Sequence, residues 1–218
     1  MTEEKFVKQL EKLFTAEGFL TRKEIGAGFG VADLVLVRIN SDKISKRQKN
    51  KQFDPLFKES YFNILKALPD IDKTCRPIGI DKISAKTGIG RAKLKNKLLV
   101  ELEGKGYVKK VDGELFFKIN GWMPIAKEVI AIEAKLENWK RGLLQANRYK
   151  SFADKVYLAV PEGIAHRVDK KFLNSQNIGL ITYDSKTNTI NEVCKPKSER
   201  PSFEHKRNLV SEFFLEYV

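Results

Sequence analysis

Apolar positions recur three and four apart along residues 3–16, at Phe6, Leu10, Leu13 and Phe14. That spacing predicts an amphipathic helix. Thr2 suits its N-cap, acidic residues fill its first turn, and Gly18 suits its stop. The pattern then shortens. Residues 19–25 and 31–39 read as strands, the second (VADLVLVRI) rich in β-branched residues, joined by a turn carrying Gly26, Gly28 and Gly30. Residues 40–52 are polar and strongly basic and predict a linker or exposed arm, with its core at 43–52. Helical spacing returns over 57–68, ended by Pro69, then over 80–87, followed by Gly88, and again from Gly90. Two short alternating runs flank Asp112 and Gly113, which predicts a hairpin. Beyond it the chain reads as a strand at 129–134, a helix at 138–152 and a strand at 153–160 stopped by Pro161. A helix at 164–174, strands at 178–183 and 189–193 and a helix at 208–217 complete it.

Setting residues 53–119 aside leaves an α-β-β-β-α-β-α-β order, which predicts an α/β domain with a mixed central sheet flanked by helices. The expected domains are therefore a discontinuous α/β domain (1–42 and 120–218), a basic linker (43–52) and an insert (53–119). A chain of 218 residues has room for a sizeable core. Charge adds a second constraint. The 41 Lys and Arg outnumber the 28 Asp and Glu, for a net charge of +13. Residues 43–118 hold 19 of those bases against 9 acids, so most of the excess falls in the linker and insert. Such a module suits a polyanion, most often nucleic acid. Cys75 and Cys194 form no CxxC pair and suit free thiols in a reducing compartment, and His166 and His205 stand alone. The N-terminal stretch lacks the apolar core of a signal peptide, and no run approaches a membrane span. The expected setting is cytoplasmic, nucleoid-associated if the source is prokaryotic, with no membrane partner.

A helix, a Gly turn, a second helix and then a hairpin resemble the winged helix-turn-helix. The stretch LEGKGYVKK before the Asp-Gly turn is similar to many winged-helix transcription factors. The resemblance implies DNA contacts from Arg91, Lys93, Lys95 and Lys97 on the third helix and Lys109 and Lys110 on the wing, joined by Lys46 and Arg47 of the linker. The plainer reading makes these lysines a solvated face, with Leu94, Leu98, Leu99 and Leu102 the packed stripe. Winged helices also bind proteins.

The chemistry concentrates in VIAIEAKLENW. Glu133 and Lys135 are two apart on an apolar strand, so they share a face while Ala134 points away. Asp33 is the other acid embedded in an apolar strand, and burying such charges is costly without a purpose. An Asp on one strand followed by Glu-x-Lys on another resembles the PD-(D/E)XK nucleases, over about residues 1–42 and 120–195. The resemblance implies a restriction-endonuclease-like fold, Asp33 and Glu133 as ligands of Mg²⁺ or Mn²⁺, and Lys135 as the catalytic lysine. It also implies an acid from the first helix, with Glu4 preferred and Glu11 as the alternative. Gln145 and Tyr149, one helical turn apart, match a Gln-xxx-Tyr pair found in the RecB-like branch. Here Gln145 would reach the active site or a phosphate, and Tyr149 is accessory. Ala32 stands where the family name has Pro, and the insert accounts for the long interval between Asp33 and Glu133. Without the resemblance, the same residues make a salt bridge at a sheet end. The function expected is metal-dependent DNA hydrolysis. The rival is a non-catalytic regulator or repair accessory protein on a degenerate nuclease fold. Cutting two strands would need a homodimer or sequential nicking.

Overall fold

The computed structural model describes residues 1–26, 30–71, 75–119 and 122–217. Gly28 of the expected glycine turn lies outside the described residues. In chain order, α1 (Glu3–Ala16) leads to strands β1 (Leu20–Gly26) and β2 (Val31–Ile39). Helices α2 (Ser41–Lys49) and α3 (Glu59–Ala67), strand β3 (Ile78–Gly79) and helix α4 (Ile80–Thr87) follow. A continuous helical run then comprises α5 (Arg91–Lys93), a π-turn (Leu94–Leu98) and α6 (Leu99–Gly104). Strands β4 (Val108–Val111) and β5 (Leu115–Lys118) form the hairpin. Next come β6 (Ala126–Ala134), α7 (Trp139–Tyr149), β7 (Lys155–Pro161), a 3₁₀ turn (Glu162–Arg167), α8 (Lys170–Ser175), β8 (Gly179–Asp184) and β9 (Thr189–Cys194). The chain closes with α9 (Glu204–Glu212) and a 3₁₀ turn (Leu215–Tyr217). The chain divides into two compact units, Met1–Ile39 with Ala126–Tyr217, and Asn40–Ile125.

The first unit is mixed α/β. Its six-stranded sheet runs β1-β2-β6-β7-β8-β9. The pairs β6–β7 and β7–β8 are parallel and the other pairs antiparallel. Alternation along the strands sorts the two faces. Leu34, Leu36, Ile130, Ile132, Tyr157 and Ile181 pack under the Phe6, Leu10 and Phe14 stripe of α1. Thr2 caps α1 by accepting from the Lys5 N–H at 3.2 Å, as its sequence predicts. The alternate face lies under α7, whose Leu143, Ala146 and Tyr149 are buried. α9 packs near β6, and the buried Ser211 hydroxyl accepts the Ala126 N–H at 3.1 Å. The last helix thus begins earlier than the expected 208–217 and breaks after Glu212. Likewise the helix expected at 164–174 is a 3₁₀ turn and a short α8, divided at Val168.

The second unit holds three-stranded sheet order β3-β5-β4 beside its helices. Gly113 takes a left-handed φ of 67° at the hairpin turn. One sequence expectation needs correction here. The basic stretch 43–52 is no irregular linker: Ser41–Lys49 is helical, capped by the Asn40 side chain. Its single inward charge, Arg47, supplies the reason. The Arg47 guanidinium is buried, donates to the Tyr107 hydroxyl, and reaches the Gln52 carbonyl at 3.3 Å. Gln52 is buried too and donates to the Ile119 carbonyl at 2.9 Å. A helix with one buried anchor and a solvated basic remainder has the composition of an arm.

Candidate functional site

Sheet register assembles the site. β2 pairs with β6 through Leu34 and Ile132, so the next step along sets Asp33 opposite Glu133, a hundred positions away in sequence. Asp33 Oδ2 accepts the Ala134 N–H at 2.8 Å, which holds its carboxylate at the strand end. On its other side, β1 pairs with β2 through Lys23–Leu34 and Ile25–Ala32. Glu24 therefore stands across from Asp33, and three acids lie in a row over β1, β2 and β6. Glu24 has a left-handed φ of 55°, which costs a residue with a Cβ about 1 kcal/mol or more.

Lys135 follows the last residue of β6, with its N–H on the Ala159 carbonyl at 2.9 Å. Its ammonium lies 2.9 Å from Glu133 Oε1, 4.0 Å from Asp33 Oδ2 and 3.5 Å from Glu3 Oε2. The acid that α1 brings to the site is therefore Glu3. Glu4 is exposed, and Glu11 pairs with Lys23 at 3.5 Å. Sequence reasoning missed Glu3 because adjacent positions on a helix are about a hundred degrees apart, and only packing sets the helix's rotation.

α7 covers the buried side. Tyr149 places its hydroxyl on the Glu133 carboxylate and within 2.7 Å of the Val31 carbonyl oxygen. Gly142, two turns earlier, rests on the stem of Lys135. Gln145 is half-buried, and its Oε1 is a buried oxygen with no hydrogen-bond donor among the described residues. Gln145 and Tyr149 share a face of α7.

Burial dominates the electrostatics. It pushes the Glu133 carboxyl above the usual range, against the lowering effects of the Tyr149 hydroxyl and Lys135. It raises Asp33 as well, against the Ala134 N–H and Lys135, while Glu3 and Glu24 add to the rise. Burial also presses on Lys135, but the bond to Glu133 and the charges of Asp33 and Glu3 outweigh it and hold the ammonium above its ordinary value. Burial and the adjoining carboxylate push the Tyr149 phenol up, so it stays a donor.

No group of three or more His, Cys, Asp and Glu side chains with metal-binding geometry occurs among the described residues. The donors Asp33 and Glu133 nonetheless fit a hard divalent cation. Mg²⁺ keeps several waters and needs only one or two carboxylates. Two partly desolvated carboxylates with raised affinity for protons gain from added positive charge. Asp33 is half-exposed and Glu133 buried, so the pair is open on one side.

The cations expected at a nucleic-acid surface divide into three groups. Arg47 is internal and is withdrawn from that surface. Arg91 pairs with both Asp81 and Glu114, and Lys95 lies 2.7 Å from Glu114. Lys46, Lys93, Lys97, Lys109 and Lys110 are exposed. Cys75 is exposed, Cys194 is half-buried, and both are free thiols. No helix among the described residues is long and apolar enough to cross a membrane. No family model, curated protein or solved structure matches the chain.

Proposed function

We propose that the protein is a metal-dependent nuclease of the PD-(D/E)XK class, acting on DNA, with a winged helix inserted between the strands that bear its catalytic acids. One observation carries the reading: Lys135 stands 2.9 Å from Glu133 and 4.0 Å from Asp33, at one end of one sheet. The mixed sheet with α1 and α7 on its two faces supports a restriction-endonuclease-like fold. The helix, turn, helix and hairpin of Asn40–Ile125 support the winged helix.

Asp33 and Glu133 would hold Mg²⁺ or Mn²⁺. The ion supplies Lewis-acid polarisation of the scissile phosphate and of the attacking water. Lys135 offers its charge to the phosphate as negative charge develops there. Tyr149 fixes one oxygen of Glu133, leaving the other toward Lys135. Gln145 has an acceptor free to orient water. The exposed lysines of α5, the π-turn and β4 neutralise phosphates, a sequence-independent and salt-sensitive contribution.

A second reading draws on the same contacts. Lys135 already neutralises Glu133 and Tyr149 already caps it, so the pair can serve as a structural ion pair, as in a non-catalytic DNA-binding protein. Cleavage of linear, supercoiled and branched DNA with Mg²⁺ or Mn²⁺ separates the two. The nuclease reading expects cleavage that falls about a hundredfold or more in Glu133→Gln and Lys135→Ala. DNA binding without cleavage by the wild type on every substrate establishes the second.

A further inference from the structure

The solvent side of α7 carries charge that neither the fold nor the site described above uses. Its exposed positions are Lys140, Arg141, Leu144, Asn147 and Arg148, and the opposite side buries Leu143, Ala146 and Tyr149. Trp139–Tyr149 contains three bases and no acid. Lys140 lies over the Trp139 ring at 5.8 Å. Arg141 and Arg148 make no side-chain hydrogen bond or ion pair among the described residues.

Position on the helix decides what these cations can reach. Arg141 is four residues before Gln145 and Arg148 three after it, so both neighbour Gln145 on the helix surface. At about 100° per residue, the order around α7 is Tyr149, Gln145, Arg141, Arg148 and then Leu144. The flank thus passes from the residue bonded to Glu133, through a glutamine whose Oε1 has no donor among the described residues, to two unpaired arginines. Each arginine also adjoins a residue seated on the site. Arg141 precedes Gly142, where an added Cβ would stand 2.6 Å from the Lys135 stem. Arg148 precedes Tyr149, and a Cβ at Gly30 would lie 3.3 Å from the Tyr149 ring and 3.9 Å from Arg148 Cδ. Gly30 stands just before β2, the strand of Asp33. The Arg148 stem is therefore at the end of the sheet where Asp33 is half-exposed.

Two features separate this flank from an ordinary solvated face. Lys140 and Arg141 occupy the first turn of α7, where the helix dipole disfavours positive charge and no acid offsets them. Helix stability therefore does not account for them. Leu144 is 69% exposed, but it is a single apolar group among polar neighbours, too little for a protein contact. Unpaired guanidinium groups suit phosphates, which they hold by two parallel hydrogen bonds. Seven residues of helix rise about 10 Å, and one strand of a duplex carries a phosphate about every 3.4 Å of its axis. Arg141 and Arg148 can thus address phosphates about three apart on one strand, with Gln145 between them.

We infer that Arg141 and Arg148 hold phosphates of the DNA strand laid across Asp33, Glu133 and Lys135, so that the first unit carries a DNA contact of its own on the exposed flank of α7. The inference rests on the nuclease reading for placing a strand over the acids.

The test is fluorescence anisotropy of the full chain with a labelled duplex of about 20 base pairs, in EDTA so that nothing is cleaved, beside steady-state cleavage of the same duplex in Mg²⁺ or Mn²⁺. Arg141→Gln and Arg148→Gln should each weaken binding by roughly tenfold and flatten the dependence of log affinity on log salt by about 0.9. Arg141→Lys and Arg148→Lys keep the charge and should keep the salt slope. In cleavage the glutamine variants should raise KM and leave kcat within about threefold. Their thermal midpoints should not fall, since both positions are exposed and glutamine matches arginine in helix propensity. Lys12→Gln removes the same charge from exposed α1 on the other face of the sheet, and should leave affinity and slope within about twofold of the wild type. Unchanged affinity and slope in the Arg141→Gln/Arg148→Gln double variant overturns the proposal and, where the wild type cleaves, leaves the nuclease reading standing. A wild type without affinity for the duplex overturns it too. A slope flattened by the double variant in a protein that never cleaves supports the phosphate contacts and removes the nuclease reading instead.

Discussion

Gly142 lies so close to Lys135 that a methyl group in its place would stand 2.6 Å from the lysine Cγ and 2.8 Å from Leu158 Cδ1. The helix that carries Gln145 and Tyr149 is therefore seated directly on the lysine stem. Such a contact has no room to relax on the Leu158 side, where the neighbour is also buried. Gly142→Ala should destabilise the protein by about 1–3 kcal/mol despite the better helix propensity of alanine. If Lys135 acts in cleavage, the substitution should also lower the rate well below the folded temperature range, and add little in a Lys135→Ala background. Urea unfolding and cleavage rates on the same samples check both. A fully stable, fully active Gly142→Ala would show that the helix is free to move away from Lys135.

The raised pKa values of Glu133 and Asp33 have a definite sign for stability. A carboxyl whose folded pKa exceeds its unfolded value binds its proton more tightly when folded, so stability falls as pH rises from the unfolded pKa through the folded one. Ionised Glu133 is thus a burden on the fold at neutral pH. Glu133→Gln, which imitates the protonated form, should unfold at a higher temperature than the wild type at pH 7, and the gap should close at pH values below the ordinary range for glutamate. Lys135 has the same sign in a different window: its raised pKa contributes stability that is fully present at neutral pH and is lost only as pH rises above the ordinary lysine range. Mn²⁺ or Mg²⁺ should relieve the same burden, raising the wild-type midpoint with concentration but leaving Glu133→Gln unmoved. Scanning calorimetry at several pH values, with and without metal, reads all of this. A Glu133→Gln variant less stable than the wild type at pH 7 would mean that the ion pair with Lys135 outweighs burial.

Glu114 competes for the charges that a DNA phosphate would need. It accepts from Arg91 and Lys95, and those contacts hold its own carboxyl below the usual range, led by Lys95. If the helix and hairpin face binds duplex DNA, Glu114→Ala should free both cations, tighten binding by about two- to fivefold and steepen its salt dependence. Arg91 and Lys95 are exposed and Glu114 is only half-buried, so stability should barely change. Anisotropy with a duplex probe across a salt series checks it, and weaker binding in Glu114→Ala would mean that Glu114 orients Arg91 and Lys95 productively.

Much of this architecture was legible in the residues. The α1 stripe, VADLVLVRI and VIAIEA follow from spacing alone, since periods of 3.6 and 2 are imposed by backbone geometry. So was the isolation of Asp33, Glu133 and Lys135, because charge in an apolar strand contradicts its neighbours. The basic stretch at 43–52 misled for the opposite reason. One buried arginine among solvated lysines leaves no apolar period, and a helix anchored by hydrogen bonds to Tyr107 and Gln52 is invisible to a hydrophobic pattern. Arg47 consequently sat among the expected surface cations, and composition could not separate it from Lys46.

The sequence by itself determined which residues could do chemistry and which strands would carry them, because residue type and alternation are local properties. Tertiary structure alone decided that Asp33 and Glu133 are opposite one another, that Glu3 and not Glu4 reaches Lys135, and that Glu24 completes a row of acids. Those facts depend on strand register and helix rotation, which arise from how faces pack across a hundred residues of intervening chain, and no local pattern encodes them.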